Sequence, residues 1–179
     1  MTTAVLVIDV QHALCTGAEA AFDITGVIER INAVCAKARA VGAPIVLIQH
    51  EEANGSFRFG SDGWQLASGI QTRSDDVRVR KTTPDSFNLT ELHPLLQAKG
   101  ITHLVICGLQ TDFCVDTTVR RALALGYQVV LVANAHSTVD NGVLSAAQII
   151  AHHNITLSHM TSFGPRATLN LADEVVLDA

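Results

Sequence analysis

The sequence predicts an α/β protein in which a mostly parallel sheet lies between two layers of helices, a three-layer α/β/α fold. Short apolar runs rich in β-branched residues alternate with segments of helical periodicity, and such alternation produces parallel sheets joined by right-handed crossovers. The chain has 179 residues, of which 48% are hydrophobic and 16% charged, so it can bury a substantial core. We see no internal repeat or linker and expect one domain, residues 1–179.

The first half of the chain opens with a strand that we expect to be buried on both faces. Residues 3–10, TAVLVIDV, form a nearly continuous apolar run, as central parallel strands do. A helix over 24–42 follows, with apolar residues at helical spacing and Gly42 at its end. The second strand, 44–49, begins at a proline. The long polar connection 51–75 is expected to be functional or locally structured.

The second half of the chain repeats the alternation. Further strands are predicted at 76–81, 102–107 and 128–133, and further helices at 88–100, 114–126 and 142–153. The strand at 76–81 alternates in polarity, so we expect it to be more exposed than the others. Asn141 is a candidate N-cap for the helix that begins at 142. Residues 154–159 could be a strand or more helix, and 167–176 could hold the last strand.

Composition excludes several classes of function. A net charge of -5 and a pI near 5.8 argue against nucleic-acid or acidic-membrane binding, since both need a cationic surface. The first residues lack the basic segment of a signal peptide, and their apolar run is too short for a membrane span. The four cysteines form no CxxC pair, and a disulfide framework is not expected in a chain of this length. We therefore expect a cytoplasmic protein.

Three reactive side chains lie at or just beyond the ends of predicted strands, where the active sites of parallel sheets are found. They are Asp9, Lys81 and Cys114. Cys114 begins the helix predicted at 114–126, and a helix N-terminus lowers the pKa of a thiol. Lys81 would add positive charge beside the sulfur, and Asp9 could act as general base. Taken singly, Cys114 could equally be a packing residue, and Lys81 a solvated surface charge.

Three motifs, VLVIDVQ, RKTTPDSF and CGLQTDFCV, occur in an order and spacing that resemble those of the isochorismatase-like cysteine hydrolases. That family includes nicotinamidases and N-carbamoylsarcosine amidases. The resemblance implies a Rossmann-like fold with a six-stranded parallel sheet, and a catalytic triad of Asp9, Lys81 and Cys114. It also implies a cis peptide bond between Leu109 and Gln110, and an oxyanion hole formed by the N–H groups of Gln110 and Cys114.

The resemblance further implies a reaction. The sulfur would attack an amide or carbamoyl carbonyl of a small molecule, and water would hydrolyse the resulting thioester without a cofactor. Two alternatives remain open at this point. One is an isochorismatase-type vinyl-ether hydrolase, and the other is a non-catalytic binding protein with the same fold. Family likeness also implies a homodimer or homotetramer.

A metal site is not expected, because the sequence departs from the nicotinamidase pattern. Ile48 stands two residues before His50, where that pattern has an aspartate. His50 with Glu51 or Glu52 could still bind a metal, but His50 is expected to line the substrate pocket instead. The expected substrate contacts are Leu14, His50, Phe57, Trp64 and Leu109. The aromatic residues of the 51–75 connection could equally pack against the core or a neighbouring subunit.

Overall fold

The fold is built on one six-stranded sheet in which every pair of neighbouring strands is parallel. A computed structural model describes residues 2–177. The strands are β1 (Thr3–Ile8), β2 (Ile45–His50), β3 (Val77–Lys81), β4 (His103–Leu109), β5 (Gln128–Ser137) and β6 (Ala167–Asn170). Their order across the sheet is β3-β2-β1-β4-β5-β6, the order of a doubly wound Rossmann-like fold. The predicted fold class is confirmed.

Helices cover both faces of this sheet. They are α1 (His12–Cys15), α2 (Ile24–Ala40), α3 (Leu92–Ala98), α4 (Asp116–Ala124) and α5 (Ala146–Ser158), and a π-helical turn, Thr111–Val115, joins β4 to α4. Alternate residues of β1 point to opposite faces, as the two-residue repeat of a strand requires. Val5 and Val7 pack in the apolar cluster that holds the buried face of α2. Leu6 and Ile8 belong to the cluster that holds residues of α3 and α4.

The last third of the chain differs from its sequence-based interpretation in three places, the first being β5, which extends to Ser137 although a strand ending at residue 133 was predicted. Asn141 does not cap α5, because its side-chain oxygen accepts bonds from the N–H groups of Val143 and Leu144 in a local turn. Ser145 and Gln148 cap the helix instead through a reciprocal capping box. The open assignment of residues 154–159 is settled as helix up to Ser158, and the last strand is shorter than 167–176. No helix among residues 2–177 is long and apolar enough to cross a membrane.

The strand order places a crevice at the carboxyl ends of β1 and β4. The chain winds outward from β1 through β2 to β3, and then returns to β4 on the other side of β1. Crossovers therefore leave β1 and β4 on opposite faces, and the loops that follow these two strands diverge. The residues that follow β1, β2, β3 and β4 meet at this edge of the sheet.

Gly108 allows β4 to approach β1 at this edge. It pairs with Ile8 and has a φ of +120°. A Cβ at this position would lie 2.1 Å from the carbonyl oxygen of Ile8, which is backbone and cannot rotate away.

We therefore expect Gly108→Ala to lower the free energy of unfolding by at least about 3 kcal/mol, through a backbone clash and a disfavoured φ. Gly42→Ala is the matched control. Gly42 also has a positive φ, +71°, but beyond its chain neighbours no atom would lie within 4 Å of an added Cβ, so only about 1–2 kcal/mol should be lost. Urea titration of both variants measures the difference, and equal losses would contradict the clash.

Candidate active site

Asp9, Lys81 and Cys114 come together at the carboxyl edge of the sheet. Asp9 follows β1, Lys81 is the last residue of β3, and Cys114 lies in the π-helical turn after β4. Nζ of Lys81 is 2.6 Å from Oδ2 of Asp9 and 3.1 Å from Sγ of Cys114. It also donates to the carbonyl oxygen of Thr83 at 3.1 Å. The ammonium group thus donates to Thr83 and Cys114, and the ion pair with Asp9 supplies its counter-charge.

The ion pair is buried. Asp9 is 1% exposed and Lys81 is 2% exposed. The backbone holds Asp9 in the left-handed region, with a φ of 49°, while its N–H donates to the carbonyl oxygen of Ile48 at 2.9 Å. Neither carboxylate oxygen of Asp9 accepts a directed hydrogen bond from another residue in 2–177, although Lys81 lies in ion-pair contact. The carboxylate therefore keeps lone pairs with which to accept a proton.

The charge state of the thiol differs from the one predicted. Burial raises the pKa of Cys114 to about 12, and the Asp9 carboxylate adds to the rise while Lys81 opposes it. The π-helical turn Thr111–Val115 runs directly into α4, so Cys114 lies in the first turn of this helical run, as expected from the sequence, and burial is nevertheless the largest influence on its pKa. Burial opposes the charged form of Lys81 as well, but Asp9 and Cys114 outweigh it and raise the pKa of Lys81. The resting site thus combines a carboxylate, an ammonium and a neutral thiol.

Alkylation of Cys114 by iodoacetamide should follow this charge state. Because only the thiolate reacts, the rate should rise about tenfold per pH unit from pH 7 to 9 without levelling off. An exposed cysteine peptide, whose pKa is about 8.5, is the control and should begin to level off in that range. Mass spectrometry of the digest assigns the label to Cys114. A rate that is already constant below pH 8 would show a resting thiolate and contradict the raised pKa.

Several hydrogen bonds hold the turn that carries the sulfur. The peptide bond between Leu109 and Gln110 is cis, as predicted. The carbonyl oxygen of Gln110 accepts from the N–H groups of Phe113 and Val115, at 3.2 and 3.1 Å. Outside the turn, the hydroxyl of Thr138 donates to Asp112 at 2.6 Å. The turn is thus tied to the end of β5 as well as to its own backbone.

A buried histidine extends this network to α5. Nδ1 of His136 lies 2.8 Å from the hydroxyl of Thr111, and Nε2 lies 2.9 Å from Oδ1 of Asn154. Asn154 donates through Nδ2 to the carbonyl oxygen of Ala133, so its Oδ1 is the acceptor for Nε2–H of His136. Thr111 then donates to Nδ1. Burial lowers the pKa of His136 to about 4, which keeps this tautomer neutral.

Two further polar contacts position the site, and sequence reasoning did not find them. Gln11 is fully buried and links the segment after β1 to the end of β2. Its side chain donates to the carbonyl oxygen of His50 at 2.9 Å and accepts from the N–H of His50 at 2.8 Å. Ser86 and Thr118 join their hydroxyls at 2.8 Å, which ties the segment after Lys81 to α4. The sequence offered one signal for Gln11, namely a polar side chain that can both donate and accept hydrogen bonds directly after a strand predicted to be buried.

A cavity of about 250 Å³ opens onto the carboxylate and the sulfur. Its lining residues are Asp9, Leu14, His50, Glu52, Phe57, Pro84, Gln110, Phe113 and Cys114. Three of the five predicted substrate contacts, Leu14, His50 and Phe57, are therefore on its wall. The other two predictions are not supported by this geometry. Leu109 is fully buried in the apolar cluster on the α2 side, and Trp64 packs edge-on against Phe59.

The same wall carries His50 and Glu52, two residues of types that can bind a metal. Nε2 of His50 lies 3.5 Å from Oε1 of Glu52, and the ring of His50 contacts Phe57 edge-on at 5.6 Å between centroids. Among residues 2–177, no group of three or more His, Cys, Asp or Glu side chains is arranged to hold a metal ion. His50 lines the same cavity as Cys114.

The fold and the site define a Rossmann-like α/β protein with a cysteine-centred candidate active site. The sequence pattern of the isochorismatase domain matches residues 3–161, and the chain belongs to the isochorismatase family. The crystal structure of an isochorismatase family protein superimposes with a TM-score of 0.87 at 37% identity, covering 94% of this chain and 98% of the other. The predicted family is confirmed.

Named relatives agree with the predicted hydrolase class. Streptothricin hydrolase of Streptomyces noursei is 41% identical over 138 residues, which are 76% of this chain and 50% of that protein. Ureidoacrylate amidohydrolase RutB of Caulobacter vibrioides (strain ATCC 19089 / CIP 103742 / CB 15) is 28% identical over 163 residues, covering 70% of this chain and 72% of RutB. The chain thus spans about half the length of the streptothricin hydrolase that it matches.

Proposed function

We propose that the protein is a hydrolase that cleaves a C–N bond, in an amide or carbamoyl group of a small molecule, through a thioester on Cys114. One observation carries the proposal: a single ammonium group, that of Lys81, contacts both a buried carboxylate and a sulfur at the floor of a pocket. The names of the relatives, a hydrolase and an amidohydrolase, support the same reaction class.

In the first half of the reaction, Asp9 accepts the thiol proton while the sulfur attacks the carbonyl carbon. Negative charge that develops on the sulfur is stabilised by the Lys81 ammonium, 3.1 Å away. Because the resting thiol is neutral, this stabilisation is greater during proton transfer than before it, and such differential stabilisation accelerates a reaction. Asp9 then returns the proton to the departing nitrogen, which leaves as ammonia or an amine.

In the second half, water attacks the thioester and Asp9 accepts a proton from it. The acid product leaves, and the proton passes back to the sulfur, which restores the neutral thiol. In both halves the carbonyl oxygen becomes an oxyanion, and we assign its stabilisation to the backbone N–H groups of Gln110 and Cys114. Asp9 thus serves as base and acid in turn, and the protein returns to its starting state.

The test is a screen of small primary amides and carbamoyl compounds for ammonia release, with the Cys114→Ala variant as blank. The expected result is release that depends on Cys114, together with an acyl adduct on Cys114 in rapidly quenched samples analysed by mass spectrometry. Release at equal rates by enzyme and blank would contradict the proposal. Turnover of an isochorismate-like vinyl ether by the Cys114→Ala variant would favour vinyl-ether hydrolysis instead.

A further inference from the structure

We infer that the pocket selects substrates that carry a positive charge, and that Glu52 is the residue that makes the selection. This inference rests on the proposed function. Among the residues that line the cavity, Asp9 and Glu52 are acidic, and none is lysine or arginine. The charge of Asp9 is balanced by Lys81, 2.6 Å away. The carboxylate of Glu52 therefore determines the net charge that a substrate meets.

The surroundings of Glu52 leave its charge uncompensated. No lysine or arginine nitrogen of residues 2–177 lies within 4.0 Å of its carboxylate, whose nearest basic neighbour is His50 at 3.5 Å. Two arginines lie on the adjoining segments. Arg58 is the bridge partner of Glu52 through the backbone, but its side chain forms no ion pair with Glu52 within 4.0 Å. Arg80 pairs with Glu51 at 3.4 Å and lies over the ring of Phe59. The Glu52 side chain is 53% exposed, so an incoming substrate can reach it.

His50 turns its Nε2 towards Glu52, 3.5 Å from Oε1. Nδ1 of His50 is buried and has no hydrogen-bond partner among residues 2–177. A proton on Nδ1 would be unsatisfied, so the favoured tautomer carries its proton on Nε2, which faces Glu52. The backbone fixes the position of Glu52, since its N–H donates to the carbonyl oxygen of Phe57 at 3.1 Å.

The remaining walls of the pocket suit a cation. Leu14, Phe57, Pro84 and Phe113 are apolar, and a low-dielectric wall strengthens the field of a nearby charge. The faces of Phe57 and Phe113 can also attract an ammonium or guanidinium group. A carboxylate on the substrate would meet the charge of Glu52 with no arginine or lysine at the wall to bind it. The chemical class indicated is a small amide or carbamoyl compound with an ammonium or guanidinium group.

The test uses three amides of similar length that differ in the charge at the far end of the chain: 6-aminohexanamide, hexanamide and the monoamide of adipic acid. For the wild type we expect kcat/KM of the cationic amide to exceed that of the anionic amide by about tenfold. In Glu52→Gln the ratio of kcat/KM for the cationic amide to that for the anionic amide should fall at least threefold. Glu51→Gln is the matched control and should leave the ratio unchanged, because Glu51 is already paired with Arg80.

A second measurement separates this inference from the proposed function. Each amide is tested for its ability to slow alkylation of Cys114 by iodoacetamide, which requires binding but no turnover. If no amide is hydrolysed but the cationic one protects best and loses this advantage in Glu52→Gln, the proposed function fails and the charge selection stands. Equal protection or equal kcat/KM for the cationic and anionic amides, or a ratio unchanged in Glu52→Gln, overturns the charge selection.

Discussion

Replacing Cys114 with alanine should reduce turnover of a confirmed amide substrate by a factor on the order of 10⁴ or more. Loss of the nucleophile removes the covalent path, and what remains is the weak catalysis by binding and oxyanion stabilisation. The fold should survive, because Lys81 keeps its contacts with Asp9 and Thr83. Steady-state ammonia release measures the loss, and urea titration verifies that the variant is folded.

Cys15→Ala is the matched control for this experiment. Cys15 is also a partly buried free cysteine, and burial raises its pKa to about 12 as well. It does not line the cavity that contains the sulfur of Cys114, but a different one beside α2. We expect the activity of the Cys15→Ala variant to stay within about twofold of the wild type. Normal turnover by Cys114→Ala would refute covalent catalysis, and an equal loss in Cys15→Ala would point to a general effect of removing a thiol.

Removing one member of the buried ion pair should produce a large loss of stability. Lys81→Met leaves the Asp9 carboxylate buried without its counter-ion. Asp9→Asn likewise leaves the Lys81 ammonium buried without its counter-ion. Each change should lower the free energy of unfolding by about 3–5 kcal/mol, the usual cost of an uncompensated buried charge.

The double variant, Asp9→Asn with Lys81→Met, distinguishes stability from catalysis. It removes both charges, so its free energy of unfolding should lie closer to the wild type than that of either single variant. Its turnover should nevertheless be lost, since neither a proton acceptor nor a cation remains beside the sulfur. Additive losses of stability would contradict the coupling, and recovery of activity in the double variant would exclude a catalytic role for the pair.

Much of the fold could be predicted because its signals are local. A central parallel strand is apolar on both faces, and the run that contains β1 shows this directly in the sequence. A helix boundary is a weaker signal, because several nearby residues can cap it. Asn141 and Ser145 both have suitable side chains, and the choice of Ser145 depended on the bond that Gln148 returns to it. The order of the strands has no local signal of its own, and only the folded structure defines it.

The site could be predicted only in part, for a similar reason. Residues that follow strand ends in a parallel sheet share one edge, so Asp9, Lys81 and Cys114 were identifiable as a group. The residues that position them were not. Gln11 and Thr118 act through partners 39 and 32 positions away, and such pairs leave no pattern in a single sequence. Leu109 was expected at the substrate, but in a strand that is buried on both faces its side chain is in the core.

The sequence by itself determined the fold class and the family, together with the chemical groups available for catalysis, because these follow from periodicity and from motifs that neighbouring residues spell out. The tertiary structure decided the charge state of the sulfur and the composition of the pocket wall. Burial and the distances to Asp9 and Lys81 set the pKa of Cys114, and its direction was opposite to the one expected for a helix N-terminus. Desolvation and Coulomb energy depend on the packing and separation of residues distant in the chain, and only the folded chain defines them.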